Sequence, residues 1–292
     1  PESPVSQKAL EMGRAIVKQH NNSATAHGLY GDMLFQIRDY DQAADSYKTC
    51  LDKAPNRLET WQNYLTCLNT MQRMDKLMQE SEEMMDVFPN QPFGFFFNGL
   101  ALNASGDYNN AVTTLQIAMS MSSNNILLKA DIYGGLGLAY ANLNKMEKAE
   151  SAFQNALNIN PENPEVLYEY SSVLLQKNER LEEAAEMARK SVDFNSGNPS
   201  YLGNYARILY KKKDYKASRK FFEKALDAGG DKRADILEHY GDVLYRLDAT
   251  DEAVEFWQQA LELGSTSEVL DRKVSTGKLD RSEEHTSELQ SH

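Results

Sequence analysis

Long apolar runs are missing from this chain. None of about 18 residues, the length a bilayer-spanning helix needs, occurs among its 292 residues. No helical membrane span and no direct membrane insertion are therefore expected. Proline is scarce at 8 and glycine modest at 16, which leaves little material for long flexible linkers. Only 2 cysteines are present, Cys50 and Cys67. Both fall inside helical patterns at positions that want small or apolar side chains, so buried free thiols are expected rather than a disulfide. A structural zinc site needs about four closely spaced ligands, and nothing here supplies them. Positive charge is outweighed, 31 Lys and Arg against 43 Asp and Glu, giving a net charge of −12 and a pI near 5.0. A field of that sign repels phosphate backbones, so nucleic acid is not an expected partner. The opening residues, PESPVSQKAL, show no charged start leading into an apolar run, so no signal peptide is expected within this sequence.

Convergent catalytic groups are missing too. The sequence has no glycine-rich phosphate loop, no nucleophile elbow and no HExxH pair. His20, His27 and His239 lie in three separate units, and carboxylate pairs such as Glu182–Glu183 sit where solvated helix charge is expected. No enzymatic activity, cofactor or metal is expected.

What the chain has is a period. Gly137, Tyr140, Ala149, Phe153, Ala156 and Pro161 define an ordered set with offsets of 3, 12, 16, 19 and 24 from the first residue. The same set occurs as Gly31, Leu34, Ala43, Tyr47, Cys50 and Pro55, as Gly99, Leu102, Ala111, Leu115, Ala118 and Ser123, and as Gly241, Leu244, Ala253, Trp257, Ala260 and Ser265. Diverged copies run through Trp61, Leu65, Leu68, Leu77 and Met84, and through Ala206, Leu209, Ser218, Phe222 and Ala225. A further copy around Tyr170, Leu174, Ala184, Ala188 and Ser191 needs one inserted residue. The units read 24–57, 58–91, 92–129, 130–163, 164–198, 199–233 and 234–267.

At these spacings the residues resemble the tetratricopeptide repeat. The resemblance covers 24–267 and is specific as an ensemble, although the closing proline is absent from the units that end near Ser123, Ser196, Gly230 and Ser265. It implies an all-α fold, an α-α superhelix (a solenoid) of about seven and a half helix-turn-helix repeats. The physical reading agrees. Small residues at Gly31, Gly99, Gly137 and Gly241 let two helices approach, Ala43, Ala111, Ala149 and Ala253 answer from the second helix, and aromatic residues fill the rest. Gly137, Ala149 and Ala156 should be buried, with Glu147 and Glu150 exposed. Asp107-Tyr108 and Asp214-Tyr215 mark the turn within a unit. One hairpin cannot bury its apolar face alone, so neighbours stack into a continuous core, and one structural domain over 1–276 is expected.

The ends depart from the pattern. Residues 1–23 continue the register backwards as the second helix of a unit whose first helix is absent, which predicts a natural protein extending further toward its N-terminus. Residues 268–280 form a short capping segment, with Leu270 and Val274 on one face. Residues 281–292, RSEEHTSELQSH, fit no repeat and resemble the in-frame translation of a common sequencing adapter. They are set aside as an artefactual tail.

The resemblance also implies a function: a non-catalytic scaffold whose first helices line a concave groove for a protein or peptide, at their positions 2, 5, 9, 12 and 13. Those positions nominate Phe93, Phe96 and Leu100 in the third unit, with a share of the dense Phe cluster exposed. They further nominate Tyr168, Arg207, Tyr210, Lys211, Tyr245 and Arg246 in the later units. The mixed aromatic and basic wall suits an extended partner with acidic groups. Gly28, Gly134 and Gly203 stand at position 5, either widening the groove or serving tight helix contact. A clamp for a C-terminal carboxylate, which the family builds from Lys, Asn and Arg on three consecutive units, is not assembled here. Two alternatives are a self-association module of a larger protein, exported bacterial proteins included, and an RNA-binding helical repeat, against which the acidic charge and the Ala/Phe/Ala signature speak. The compartment is left open between cytoplasmic and, were a leader removed, periplasmic or lipid-anchored.

Overall fold

The computed structural model describes residues 4–265 and 267–279, with side chains from residue 8 onward. The segment 281–292 lies outside the described residues. Sixteen α-helices and one short 3₁₀ turn make up the described chain, with no strand among the described residues. They fall into two compact units, Pro1–Ile159 and Asn160–His292, where the sequence suggested one domain.

The first unit holds α1 (Pro4–Gln19) and four helical pairs: α2 and α3 (Ala24–Gln36, Tyr40–Lys53), α4 and α5 (Leu58–Thr70, Met74–Val87), α6 and α7 (Pro92–Ser105, Tyr108–Met121), and α8 and α9 (Ile126–Asn142, Met146–Ile159). The second holds α10 and α11 (Pro164–Lys177, Leu181–Phe194), α12 and α13 (Pro199–Lys211, Tyr215–Asp227), α14 and α15 (Ala234–Arg246, Thr250–Glu262), and α16 (Glu268–Thr276). In each unit consecutive helices pack together. The first helices of neighbouring pairs also meet, α2 with α4, α4 with α6 and α6 with α8 in one unit, α10 with α12 and α12 with α14 in the other, whereas the second helices do not approach each other in that way. Close contact on one side only places the first helices on the inner, concave side of each stack.

The repeated small residue is explained by what lies over it. A β-carbon on Gly31 would fall 2.7 Å from the Tyr47 ring, and one on Gly99 would fall 2.5 Å from Leu115 Cγ. On Gly137 it would fall 2.7 Å from the Phe153 ring, and on Gly241 2.5 Å from Trp257 Nε1. All are below carbon contact distance, so only glycine fits unless the ring moves. In the unit 58–91 the size order is inverted at the same two positions, with Leu65 and Ser81 both fully buried. Gly137, Ala149 and Ala156 are buried as expected and Glu147 is exposed. Glu150 is half-buried instead, because it borders the buried stripe formed by Ala149 and Phe153.

Turns within the pairs follow local chemistry. Asp39, Asp107 and Asp214 cap α3, α7 and α13, their carboxylates accepting from the backbone N–H of Gln42, Asn110 and Ala217 at 3.2, 3.3 and 3.1 Å. The residue before each cap (Arg38, Gly106, Lys213) takes a left-handed φ, which reverses the chain in the fewest residues. The four-residue insertion of the third unit becomes an extra first turn of α8, a 17-residue helix that starts at Ile126 under an Asn125 cap. That turn leaves Ile126 and Leu127 exposed at 63% and 61%.

At the end of the second unit α16 lies against α15, with Leu270 fully buried. Its Lys273 is also fully buried, with Nζ 3.1 Å from Glu238 and 2.9 Å from Asp242. Asp242 further accepts from Trp257 Nε1 at 3.0 Å. Burial alone would raise the Asp242 carboxyl. The hydrogen bond from His239 and then the charge of Lys273 outweigh it and hold that carboxyl below its ordinary value. The lysine was invisible to a search for apolar capping residues, because only its partners make a buried ammonium affordable.

Candidate functional site

The sequence-nominated residues divide between the units. Phe93, Phe96 and Leu100 belong to α6 in the first, and Tyr168, Arg207, Tyr210, Lys211, Tyr245 and Arg246 to α10, α12 and α14 in the second. Phe96 is corrected by the structure. It is only 8% exposed and part of the first unit's core, its ring 5.1 Å from that of Phe97, because the phenylalanine cluster faces the neighbouring helices rather than solvent. Leu100 is half-buried and reaches α8, where its Cδ2 lies 3.3 Å from where a β-carbon on Gly135 would be. Phe93 alone of the three borders an open cavity, of about 490 Å³, which it shares with the exposed Ile126 and Leu127.

In the second unit the aromatic residues are half-buried and mutually engaged. Tyr168 packs on Tyr201 at 5.2 Å between ring centroids, Tyr210 on Tyr215 at 5.5 Å and Tyr245 on Trp257 at 5.9 Å. Arg246 Nε donates to Tyr210 Oη at 3.4 Å, joining two nominated residues from successive repeats. Lys211 is exposed. Arg207 is not part of an open basic wall. It is largely enclosed, and desolvation lowers its pKa although Asp235 and Tyr168 act the other way. Among the described residues it makes no hydrogen bond or ion pair. Tyr168 beside it is pushed up to about 12, by burial first and then by the charge of Glu169. Glu169 itself has no counter-charge among the described residues, and burial, followed by Glu165, pushes its carboxyl up to about 7.

Two cavities open on the inner faces at corresponding repeat positions. In the first unit a cavity of about 540 Å³ is bordered by Thr25, Gly28, Asp32, Phe35 and Gln36, the five groove positions of the unit 24–57, together with Arg57, Glu59 and Asn63. In the second, a smaller one of about 30 Å³ is bordered by Tyr168, Ser200, Gly203, Asn204, Arg207, Arg233 and Asp235. The frames match at four positions and differ at the ninth of the helix, where Asp32 stands in one and Arg207 in the other. Arg57, preceding α4, donates to Thr25 Oγ1 at 2.7 Å, and Arg233, preceding α14, donates to Ser200 Oγ. Glu59 and Asp235 occupy the same place on the next helix. Glycine stands at the fifth position of both.

Gly203 differs from the glycines between paired helices, whereas Gly28 faces Cys50 of its own pair. A β-carbon on Gly203 would meet Ile236 at 3.4 Å, an ordinary contact, and one on Gly28 would meet Cys50 Sγ at 3.3 Å. Packing therefore does not demand glycine at 203, although glycine in a helix interior costs about 1 kcal/mol relative to alanine. The first-unit residues Thr25, Asp32 and Gln36 escaped a sequence search directed at aromatic and basic groups; the register that places Gly28 at position 5 also places them in the groove.

Sequence models of the tetratricopeptide repeat match residues 6–57, 130–163 and 198–265. The chain belongs to the tetratricopeptide repeat family. No curated protein matches it. Among solved structures this repeat protein is similar to the APC/C hetero-tetramer Cut9–Hcn1, with a TM-score of 0.72 and 16% identity over 93% of this chain. It is similar to yeast Tom70, with a TM-score of 0.57 and 16% identity over 98% of this chain. A tetratricopeptide repeat protein from Parabacteroides merdae gives a TM-score of 0.57 and 12% identity over 87% of this chain and 98% of its own. The chain spans 52% of the first of these structures and 60% of the second. At such identities the likeness concerns the fold.

Cys50 and Cys67 are free and buried, and burial pushes the Cys67 thiol up to about 12, far from a reactive thiolate. Among the described residues no group of three His, Cys, Asp or Glu is placed to hold a metal, and no helix is long and apolar enough to cross a membrane. Tetratricopeptide repeat proteins are generally non-catalytic scaffolds for protein interaction.

Proposed function

We propose that this repeat protein binds an extended segment of a partner protein along the inner face of its first helices, without catalysis. The observation that carries the reading is the groove glycine at 203. Gly203 lies on a helix that would be more stable with alanine, faces no atom that forbids one, and opens a cavity rimmed by polar groups. A chain selected for stability alone would not keep it. Gly28 holds the same position in the other unit and also borders a cavity, with Cys50 closer over it. Tyr168, Tyr210 and Tyr245 supply rigid amphipathic surface beside the gap, and Lys211 and Arg246 supply donors.

The test uses random peptides displayed on phage and selected on the immobilised chain. Selected peptides should bind Gly203→Ala or Gly28→Ala at least about tenfold more weakly, while Lys216→Glu on the exposed side of α13 leaves affinity unchanged. Thermal melts should show Gly203→Ala as stable as the parent or more so. Peptides indifferent to both groove variants and sensitive to Lys216→Glu would transfer the binding face to the second helices.

A further inference from the structure

The cavity at Gly203 contains two polar groups with complementary needs. Asn204 is 5% exposed and borders the cavity, and its Oδ1 has no hydrogen-bond partner. Its orientation is fixed by the neighbouring hydroxyl. Ser171 Oγ donates to the Tyr168 carbonyl at 2.8 Å, so toward Asn204 it can only accept, and the atom at 2.8 Å from it must be Nδ2. The amide oxygen is left over as a buried acceptor. Arg207, one turn along the same helix face, borders the same cavity and offers guanidinium N–H groups that no described residue uses. An unmade hydrogen bond at a buried polar atom is costly, of the order of 1–3 kcal/mol. Asn204 Oδ1 bears that cost, and the half-buried Arg207 guanidinium beside it adds donors that no described residue uses, so one acceptor and one donor define what fills the cavity.

Building on the groove-binding reading, we infer that the Gly203 cavity receives the carboxamide of a glutamine or asparagine side chain from the bound segment. The carboxamide oxygen accepts from Arg207 and its NH₂ donates to Asn204 Oδ1, so one planar group satisfies both. A carboxylate satisfies only the arginine. It sets an oxygen against the Asn204 oxygen, and it meets a field in which Asp235, Glu238 and Asp242 already offset the Arg207 charge. An ammonium satisfies the asparagine and is repelled by Arg207. An aliphatic tip satisfies neither. The size agrees: about 30 Å³ has room for roughly two water molecules, the scale of a carboxamide head. The absence of a β-carbon at Gly203 provides that room.

The same displayed peptides decide it. Peptides that lose affinity on Gly203→Ala should share a Gln or Asn at one position. Synthetic versions with Gln→Glu or Gln→Met at that position should bind the parent chain at least about tenfold more weakly, and Arg207→Met should remove most of the difference between Gln and Met. If Glu binds as tightly as Gln, the cavity is an anion site and the carboxamide inference falls while groove binding stands. If Met binds as tightly as Gln, the polar groups are filled by water and the inference falls likewise. If no selected peptide responds to either groove glycine, the groove reading itself falls.

Discussion

The first helices of this repeat protein present two surfaces that obey different rules. On the surface facing the second helix, every glycine is compelled: Gly31, Gly99, Gly137 and Gly241 each lie where a β-carbon would approach a ring or Leu115 to 2.5–2.7 Å. Three buried polar side chains there are paired within the hairpin. Tyr47 Oη donates to Asp32 at 2.8 Å, Ser218 Oγ to the Ala206 carbonyl at 2.7 Å and Trp257 Nε1 to Asp242 at 3.0 Å. On the inner surface of the second unit the glycine at 203 is optional for packing, and Asn204 and Arg207 keep unused hydrogen-bonding capacity. One surface is built for stability, and the other retains polar groups that stability would have removed. The first unit's cavity refines the contrast. There Asn63 Nδ2 lies 3.4 Å from Asp32 and 3.3 Å from Tyr47 Oη, so much of the rim is already paired within the chain.

The contrast can be broken most forcefully at Lys273. Its ammonium is fully buried between Glu238 and Asp242, so Lys273→Ala leaves two carboxylates without their counter-charge and should cost about 3–5 kcal/mol in chemical denaturation. A loss below about 1 kcal/mol would mean that α16 is dispensable to the second unit.

Next in size are the compelled glycines. Gly137→Ala should destabilise by about 1–3 kcal/mol, since Phe153 must shift to admit a methyl group, against the stabilising sign expected at Gly203. Equal melting temperatures for the two alanine variants would erase the distinction between the surfaces.

The smallest effect is a pH dependence. The folded Asp242 pKa is depressed, so its contribution is fully present above the unfolded value near 3.8 and is lost as pH falls through the folded value. Stability measured below pH 4 should therefore fall less steeply in Asp242→Asn than in the parent. Identical slopes would remove Asp242 from the account.

The tail of the phenylalanine cluster shows where sequence reasoning ran out. Phe93, Phe96 and Leu100 satisfy the groove register equally, yet Phe96 is core and Phe93 is not. Register assigns a direction to a side chain, and it does not say how near the next helix lies in that direction. The insertion before Ile126 was legible as four extra residues, but only the Asn125 cap and the backbone path show that they lengthen α8 instead of spacing the units.

The sequence by itself determined the helical pairs, their order and the exchange of large for small residues between them, because these follow from a period that packing imposes on every unit. It also placed glycine at 28 and 203. Only the tertiary structure decided that the glycine at 203 is not required by packing, that Arg207 is enclosed without a hydrogen-bond partner among the described residues, and that a lysine closes the second unit. Each of these depends on distances to residues about one repeat away, and a contact across successive repeats is set by how the helices cross rather than by either residue's own identity.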